Sequence, residues 1–154
     1  MRIEASTIAG VLGGIALGLM IGALGFQYLD RLPPCEMCMW QRWPLITAVV
    51  VGLAGGLMRG KAADLFALLA LMLVGASGAI GAYQAGIEWH WWPGPSACTG
   101  ARFIVQAGGD LNAPIVRCDV AAWRLFGISL AGYNALICLG AACIASVFLL
   151  RSQR

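Results

Sequence analysis

Four long apolar runs separated by short polar stretches make up most of this chain. The first extends from about Ile8 to Leu29 and meets no charge before Asp30. About 20 apolar residues are enough for a helix to cross the hydrocarbon core of a bilayer, so this run predicts a span. A secretory signal would have an apolar core of about 7–15 residues and then a small-residue cleavage site. The run behind Arg2 is longer and is followed by further spans, which favours a retained helix. Within it Gly10, Gly14, Gly18 and Gly22 recur every four residues. Such a small-residue stripe lets helix backbones approach closely in lipid and predicts a tight bundle seam.

The second run, Trp43 to Met58, is short unless it also takes in Met37 to Gln41, so the span is placed at about 37–58. Arg59-Gly60-Lys61 predicts a tight turn, and a third run covers about Leu65 to Ile87. The polar-leaning segment from Glu88 to Arg124 is rich in Gly and Pro, and the last run goes from about Leu125 to Leu150. The pattern predicts an all-α integral membrane protein: a four-transmembrane-helix bundle forming one domain over residues 1–154. Four spans put both termini on one side, and two cysteine-bearing loops, about 30–36 and 88–124, on the other.

Composition agrees. The chain is 60% hydrophobic and 11% charged, against about 25% charged in ordinary soluble domains. A net charge of +3 gives no case for nucleic acid; the lipid bilayer is the surrounding this sequence suits. Basic residues divide evenly: Arg2, Arg59, Lys61, Arg151 and Arg154 on the terminal side, Arg31, Arg42, Arg102, Arg117 and Arg124 on the loop side. The terminal-side group is packed into far less chain, which favours cytoplasmic termini. All six tryptophans (Trp40, Trp43, Trp89, Trp91, Trp92 and Trp123) fall on the loop side. That predicts a loop face lying in the headgroup region.

Candidate chemistry centres on Cys35-Glu36-Met37-Cys38 behind Pro33-Pro34. A Cys-x-x-Cys is half of a zinc site, a redox dithiol or a coincidence. Prolines just upstream suit the turn into a helix. A helix beginning near Cys35 carries both sulfurs in its first turn, where free N–H groups favour a thiolate, the nucleophilic form. Arg42 lies four residues beyond Cys38, on the same face. Cys98 and Cys118 form a second loop-side pair. The two pairs admit structural disulfides, a four-cysteine zinc site, or a relay in which one dithiol passes electrons to the other. Zinc sites usually have two short-spaced pairs, which Cys98 and Cys118 do not provide. Cys138 and Cys143, deep in the fourth run, read as small apolar packing residues.

With these residues in view, the chain resembles the disulfide bond formation protein B (DsbB) family, quinone-linked thiol oxidases of the bacterial inner membrane. The matches are Pro34-Cys35-x-x-Cys38-x-x-x-Arg42 opening the second span, and Pro93-x-Pro95 before Cys98. Cys118 followed by Trp123-x-Leu125-Phe126-Gly127-Ile128-Ser129 completes them. The resemblance covers essentially the whole chain. A vitamin K epoxide reductase-like thiol oxidase is the nearest rival, but its active Cys-x-x-Cys belongs in a late span, where Cys138 and Cys143 are wrongly spaced.

The resemblance implies that a soluble periplasmic DsbA-like thiol oxidase is reoxidised at a Cys98–Cys118 disulfide, with Cys98 forming the mixed disulfide. Electrons then pass to Cys35–Cys38 and on to the membrane quinone pool, ubiquinone or menaquinone. It also implies cytoplasmic termini and periplasmic cysteine loops. Cys38, deeper along its helix, is the expected donor to quinone. Arg42 is placed to stabilise the Cys38 thiolate and to hydrogen-bond a quinone oxygen. The family has a quinone-side histidine in the vicinity of His90, the chain's one histidine. Trp89 is the alternative at that place, and an interfacial polar residue the plainer role. Gln41 reads as a second quinone contact or as helix-end polarity.

Overall fold

In hydrocarbon a backbone must satisfy its hydrogen bonds within its own segment, which leaves helices as the form for each apolar run. The computed structural model has four: α1 (Ala5–Tyr28), α2 (Glu36–Gly56), α3 (Lys61–Glu88) and α4 (Leu130–Ser152). It describes residues 4–96, 98–99 and 116–152. Arg2, Arg102, Arg154 and residues 97 and 100–115 of the long loop, part of which is expected to rest on the membrane, lie outside them. All four helices are long and apolar enough to cross a bilayer. They run up and down, with α1 on α2 and α3, α2 on α3, and α3 on α4; α1 and α4 barely meet.

The core is a thin stack that includes Ile8, Leu12, Met20, Leu45, Val74 and Cys138. Much of the outside is apolar as well: Val11, Ile21, Val50, Met72, Leu136 and Ile144 are all exposed. An apolar exterior around a thin core is what a bundle solvated by lipid requires.

The close seam is not the glycine stripe expected from the four-residue repeat. A Cβ on Gly14, Gly18 or Gly22 would meet nothing within 4 Å, and one on Gly10 would touch only Gly56. The crossing of α1 and α2 runs instead through Gly13 and Gly52, where a Cβ on Gly52 would lie 2.6 Å from the Gly13 backbone. The two faces of α1 differ in use: Gly13 makes the contact, while Gly18 and Gly22 line a cavity described below. Gly52→Val is therefore expected to force α1 from α2 and destabilise the protein by about 1–3 kcal/mol. Gly14→Ala should leave it unchanged. Thermal unfolding in detergent checks the pair.

Two local devices shape the loop end. Residues Arg124–Leu125 (β1) pair antiparallel with Ile128–Ser129 (β2), so α4 starts at Leu130 and not near residue 125. The turn residues Phe126 and Gly127 both have positive φ, 50° and 81°, the hairpin turn whose twist matches its strands. The matched Phe-Gly dipeptide thus has a backbone reason. At the end of α3, His90 N donates to Ile87 O and Trp91 N to Gly86 O, both at 2.9 Å. With His90 at φ 61°, this is a Schellman cap, His90 standing where glycine is usual.

Candidate functional site: a cysteine cluster beside an apolar cavity

Pro33-Pro34 leads into Cys35, which is extended and acts as the N-cap of α2, its sulfur accepting the Cys38 N–H at 3.1 Å. Cys35 and Cys38 are joined in a disulfide, with Cα atoms 5.0 Å apart. Cys98 and Cys118 form a second disulfide, Cα atoms 5.5 Å apart. Backbone bonds hold that pair: Cys98 N donates to Pro95 O and Cys118 N to Cys98 O. Arg117 forks onto Asp119 on either side of Cys118, and these hydrogen bonds hold the Asp119 carboxyl below the usual carboxylate range. Cys35, Cys98 and Cys118 share one buried cluster with Met37 and Ile87, and Cys38 packs against it. The four loop cysteines are thus brought together as two disulfides rather than as thiolates around zinc. Among the described residues, no group of three or more His, Cys, Asp or Glu is arranged to hold a metal.

Beneath the cysteines runs a chain of buried polar side chains that crosses three helices. Gln84 Nε2 donates to Glu88 Oε1 at 3.1 Å and faces the Cys35 and Cys38 sulfurs at 3.4 and 3.7 Å. Gln84 Oε1 accepts from Gln41 Nε2 at 2.6 Å. Gln41 Oε1 in turn accepts from Asn134 Nδ2 at 2.8 Å, which also faces Ser77. Cys138 donates to Asn134 Oδ1 at 3.3 Å, and it packs at the α3–α4 crossing, where a Cβ on Gly78 would lie 2.8 Å from its own Cβ. Gln41 is the hub of this chain, its amide engaged on both sides, and it also lines the cavity described next. Glu88, expected to open the polar loop, is the last residue of α3 and is buried. Gln84, Glu88, Asn134 and Ser77 were not singled out from the sequence. The available signal was polarity within apolar runs, since polar residues in a span mark function or helix contacts.

On the other side of Cys38, the gap between α1 and α4 leaves a cavity of about 410 Å³. Its walls include Gly18, Gly22, Phe26, Leu45, Trp123 and Ile137, so it is almost wholly apolar. The polar wall residues include Cys38, Gln41, Arg42 and Asn134. Gln41 and Asn134 have their N–H groups engaged within the bundle. Arg42 is different. Its guanidinium donates to Gln27 Oε1 and, at 3.3 Å, to Ala23 O near the end of α1. A cation suits a helix C-terminus, and a guanidinium with five N–H donors still has some to offer. Size and lining fit a flat apolar ligand with one or two polar atoms.

Cys38 and Arg42 thus meet at one cavity, as their four-residue spacing suggests. His90 and Trp89 are exposed and absent from its wall; Trp123 supplies the aromatic surface, 5.0 Å from the Phe26 ring. Cys143 is exposed on the outer surface of α4.

A family model described as disulfide bond formation protein DsbB matches residues 5–148. Several proteins called disulfide bond formation protein B are similar along most of their length. That of Acidovorax sp. (strain JS42) is 30% identical over 167 residues, covering 99% of this chain and 89% of the relative. That of Paracidovorax citrulli (strain AAC00-1) is 28% identical over 165 residues, with coverage of 99% and 89%. That of Azoarcus sp. (strain BH72) is 26% identical over 144 residues, with coverage of 88% and 86%. No solved structure matches the chain.

Proposed function

The chain belongs to the DsbB family of membrane disulfide bond formation proteins, and from that premise we propose that it is a thiol:quinone oxidoreductase of the bacterial inner membrane. Its termini are cytoplasmic and its cysteine loops periplasmic. It reoxidises a DsbA-like thiol oxidase and so sustains periplasmic disulfide formation. One observation carries this reading: two disulfides share one buried cluster, and the inner one borders an apolar cavity that also holds Arg42.

Each protein step is a thiol–disulfide exchange. A partner thiolate attacks Cys98 Sγ, the Cys98–Cys118 bond breaks, and Cys118 leaves with the electron pair. The partner's second thiol resolves the mixed disulfide, so the partner departs oxidised and the outer pair holds two electrons. Cys98 is 1% exposed, so the residues covering it must move aside first. The outer dithiol then reduces Cys35–Cys38 in the same way. A bound quinone supplies the terminal acceptor for two electrons and two protons. Cys38, at the cavity wall, is the sulfur placed to donate, and Arg42 offers N–H groups to a quinone oxygen. His90, exposed at its cap, has no part in this reading.

The test mixes purified protein, a reduced DsbA-like oxidase and a soluble quinone, and follows quinone absorbance. One quinone should be consumed per partner dithiol oxidised. No consumption would sink the proposal.

A further inference from the structure

We infer that Gln84 is a catalytic residue of the inner cysteine pair: its amide N–H faces the sulfurs to hold the charge that appears when Cys35–Cys38 opens, and Glu88 is the positioning residue that aims it. The inference rests on the relay proposed above and adds to it a group from a different helix.

The amide orientation is fixed by its neighbours. Gln84 has two N–H donors and one carbonyl. One donor is engaged by Glu88 Oε1 at 3.1 Å, which leaves the other towards Cys35 Sγ at 3.4 Å and Cys38 Sγ at 3.7 Å. The carbonyl receives Gln41 Nε2 at 2.6 Å. Turned over, the amide would set its NH2 against the Gln41 NH2 and bring its oxygen up to a Glu88 carboxyl oxygen. Such networks are the basis on which an amide orientation is assigned. Gln41 is itself held by Asn134 Nδ2 at 2.8 Å and by donating to Met37 O.

Glu88 is 4% exposed, as is Gln84, and a buried carboxyl group is costly unless it is hydrogen-bonded. Its Oε2 has no hydrogen-bond partner among the described residues. Among the described residues, the Ser129 hydroxyl and the Arg124 guanidinium are the other polar groups facing this residue, Arg124 donating to its backbone oxygen at 3.2 Å. Seating an acid here serves Gln84: a carboxyl oxygen one turn away accepts and fixes the amide N–H.

A disulfide sulfur is a weak acceptor and a thiolate a strong one. A donor set beforehand therefore gains most as charge develops, without reorganising. In the opening step a thiolate of the outer pair bonds to one inner sulfur. The inner S–S bond breaks, and its electron pair stays on the other inner sulfur, which Gln84 faces. The remaining outer thiol passes its proton to that thiolate and attacks the mixed disulfide, freeing the first inner sulfur as a thiolate. The outer pair ends as a disulfide and the inner pair as one thiol and one thiolate, with charge and protons conserved.

The test is the equilibrium of the inner pair with a glutathione redox buffer, measured in full-length protein without quinone or partner. Gln84→Met keeps the length and removes the donor. It should shift the inner pair about tenfold towards the disulfide, and slow alkylation of the reduced pair by a similar factor. The outer pair in the same samples should not move, which reports an intact fold. In turnover, kcat should fall with the quinone KM unchanged. Glu88→Gln, which keeps an acceptor but not the charge, should shift the inner pair in the same direction by less, and it decides the matter if Gln84→Met does not insert. An inner equilibrium unchanged in the variants would overturn the assignment. A wild-type protein that reduced no quinone would sink the relay and leave this measurement readable.

Discussion

Cys98→Ser is expected to abolish oxidation of a DsbA-like partner while leaving quinone reduction intact when a small dithiol is the donor. The reason is spatial. Cys38 is part of the cavity wall, whereas Cys98 and Cys118 are not. A small dithiol is expected to reach the half-buried Cys38 through the cavity, but a folded partner needs the outer pair. Cys98→Ser leaves Cys118 as a free thiol in the same buried cluster, where it can trap Cys35. The double variant Cys98→Ser/Cys118→Ser removes that complication and should behave alike. Quinone absorbance with each donor in turn is the readout. If the double variant lost quinone reduction with a small dithiol too, the division of labour between the pairs would be wrong.

Arg42→Lys should raise the apparent quinone KM by about 10- to 100-fold, because a lost hydrogen bond to a charged group costs about 1.5–3 kcal/mol. An arginine at a membrane edge has a plainer role, reaching for lipid phosphate, and lysine would fill that role equally well. The structure engages the guanidinium inside the bundle instead, with Gln27 and Ala23 O on α1 and Cys38 in the same cavity wall. An ammonium keeps the charge but loses the planar fork that can hold α1 and a quinone oxygen at once. Exchange between the cysteine pairs should proceed normally in this variant. Quinone titrations separate the two roles: a KM unchanged in Arg42→Lys would return Arg42 to the lipid. The contrast with Gln84→Met, where kcat moves and KM does not, assigns one residue to quinone and the other to sulfur.

Local pattern carried the architecture and much of the chemistry. Apolar runs of bilayer length force helices whatever surrounds them, because their backbones have no other partner in lipid. The order of those runs puts both cysteine pairs at one end. Spacing of four residues on one helix sets Arg42 by Cys38, as it does on any α-helix.

What local pattern could not decide lies between helices. The glycine repeat in α1 is not one surface: only packing determined that Gly18 and Gly22 line a cavity while Gly10 faces Gly56 and Gly13 meets Gly52. The resemblance points to His90 as the family's quinone-side histidine, with an interfacial role as the plainer alternative; in the packed chain its backbone closes α3 and its side chain is exposed, off the cavity wall. Gln41 finds its acceptor partner 43 residues away in Gln84 and its donor partner 93 residues away in Asn134. No period in the sequence encodes such a meeting. A buried donor or acceptor must find a partner wherever the fold provides one, so the polar chain beneath the cysteines exists only once the second, third and fourth helices are packed. The sequence alone determined that this chain crosses the membrane four times with two cysteine pairs at one end; the packed bundle decided which polar groups face the sulfurs and which remain free for a ligand.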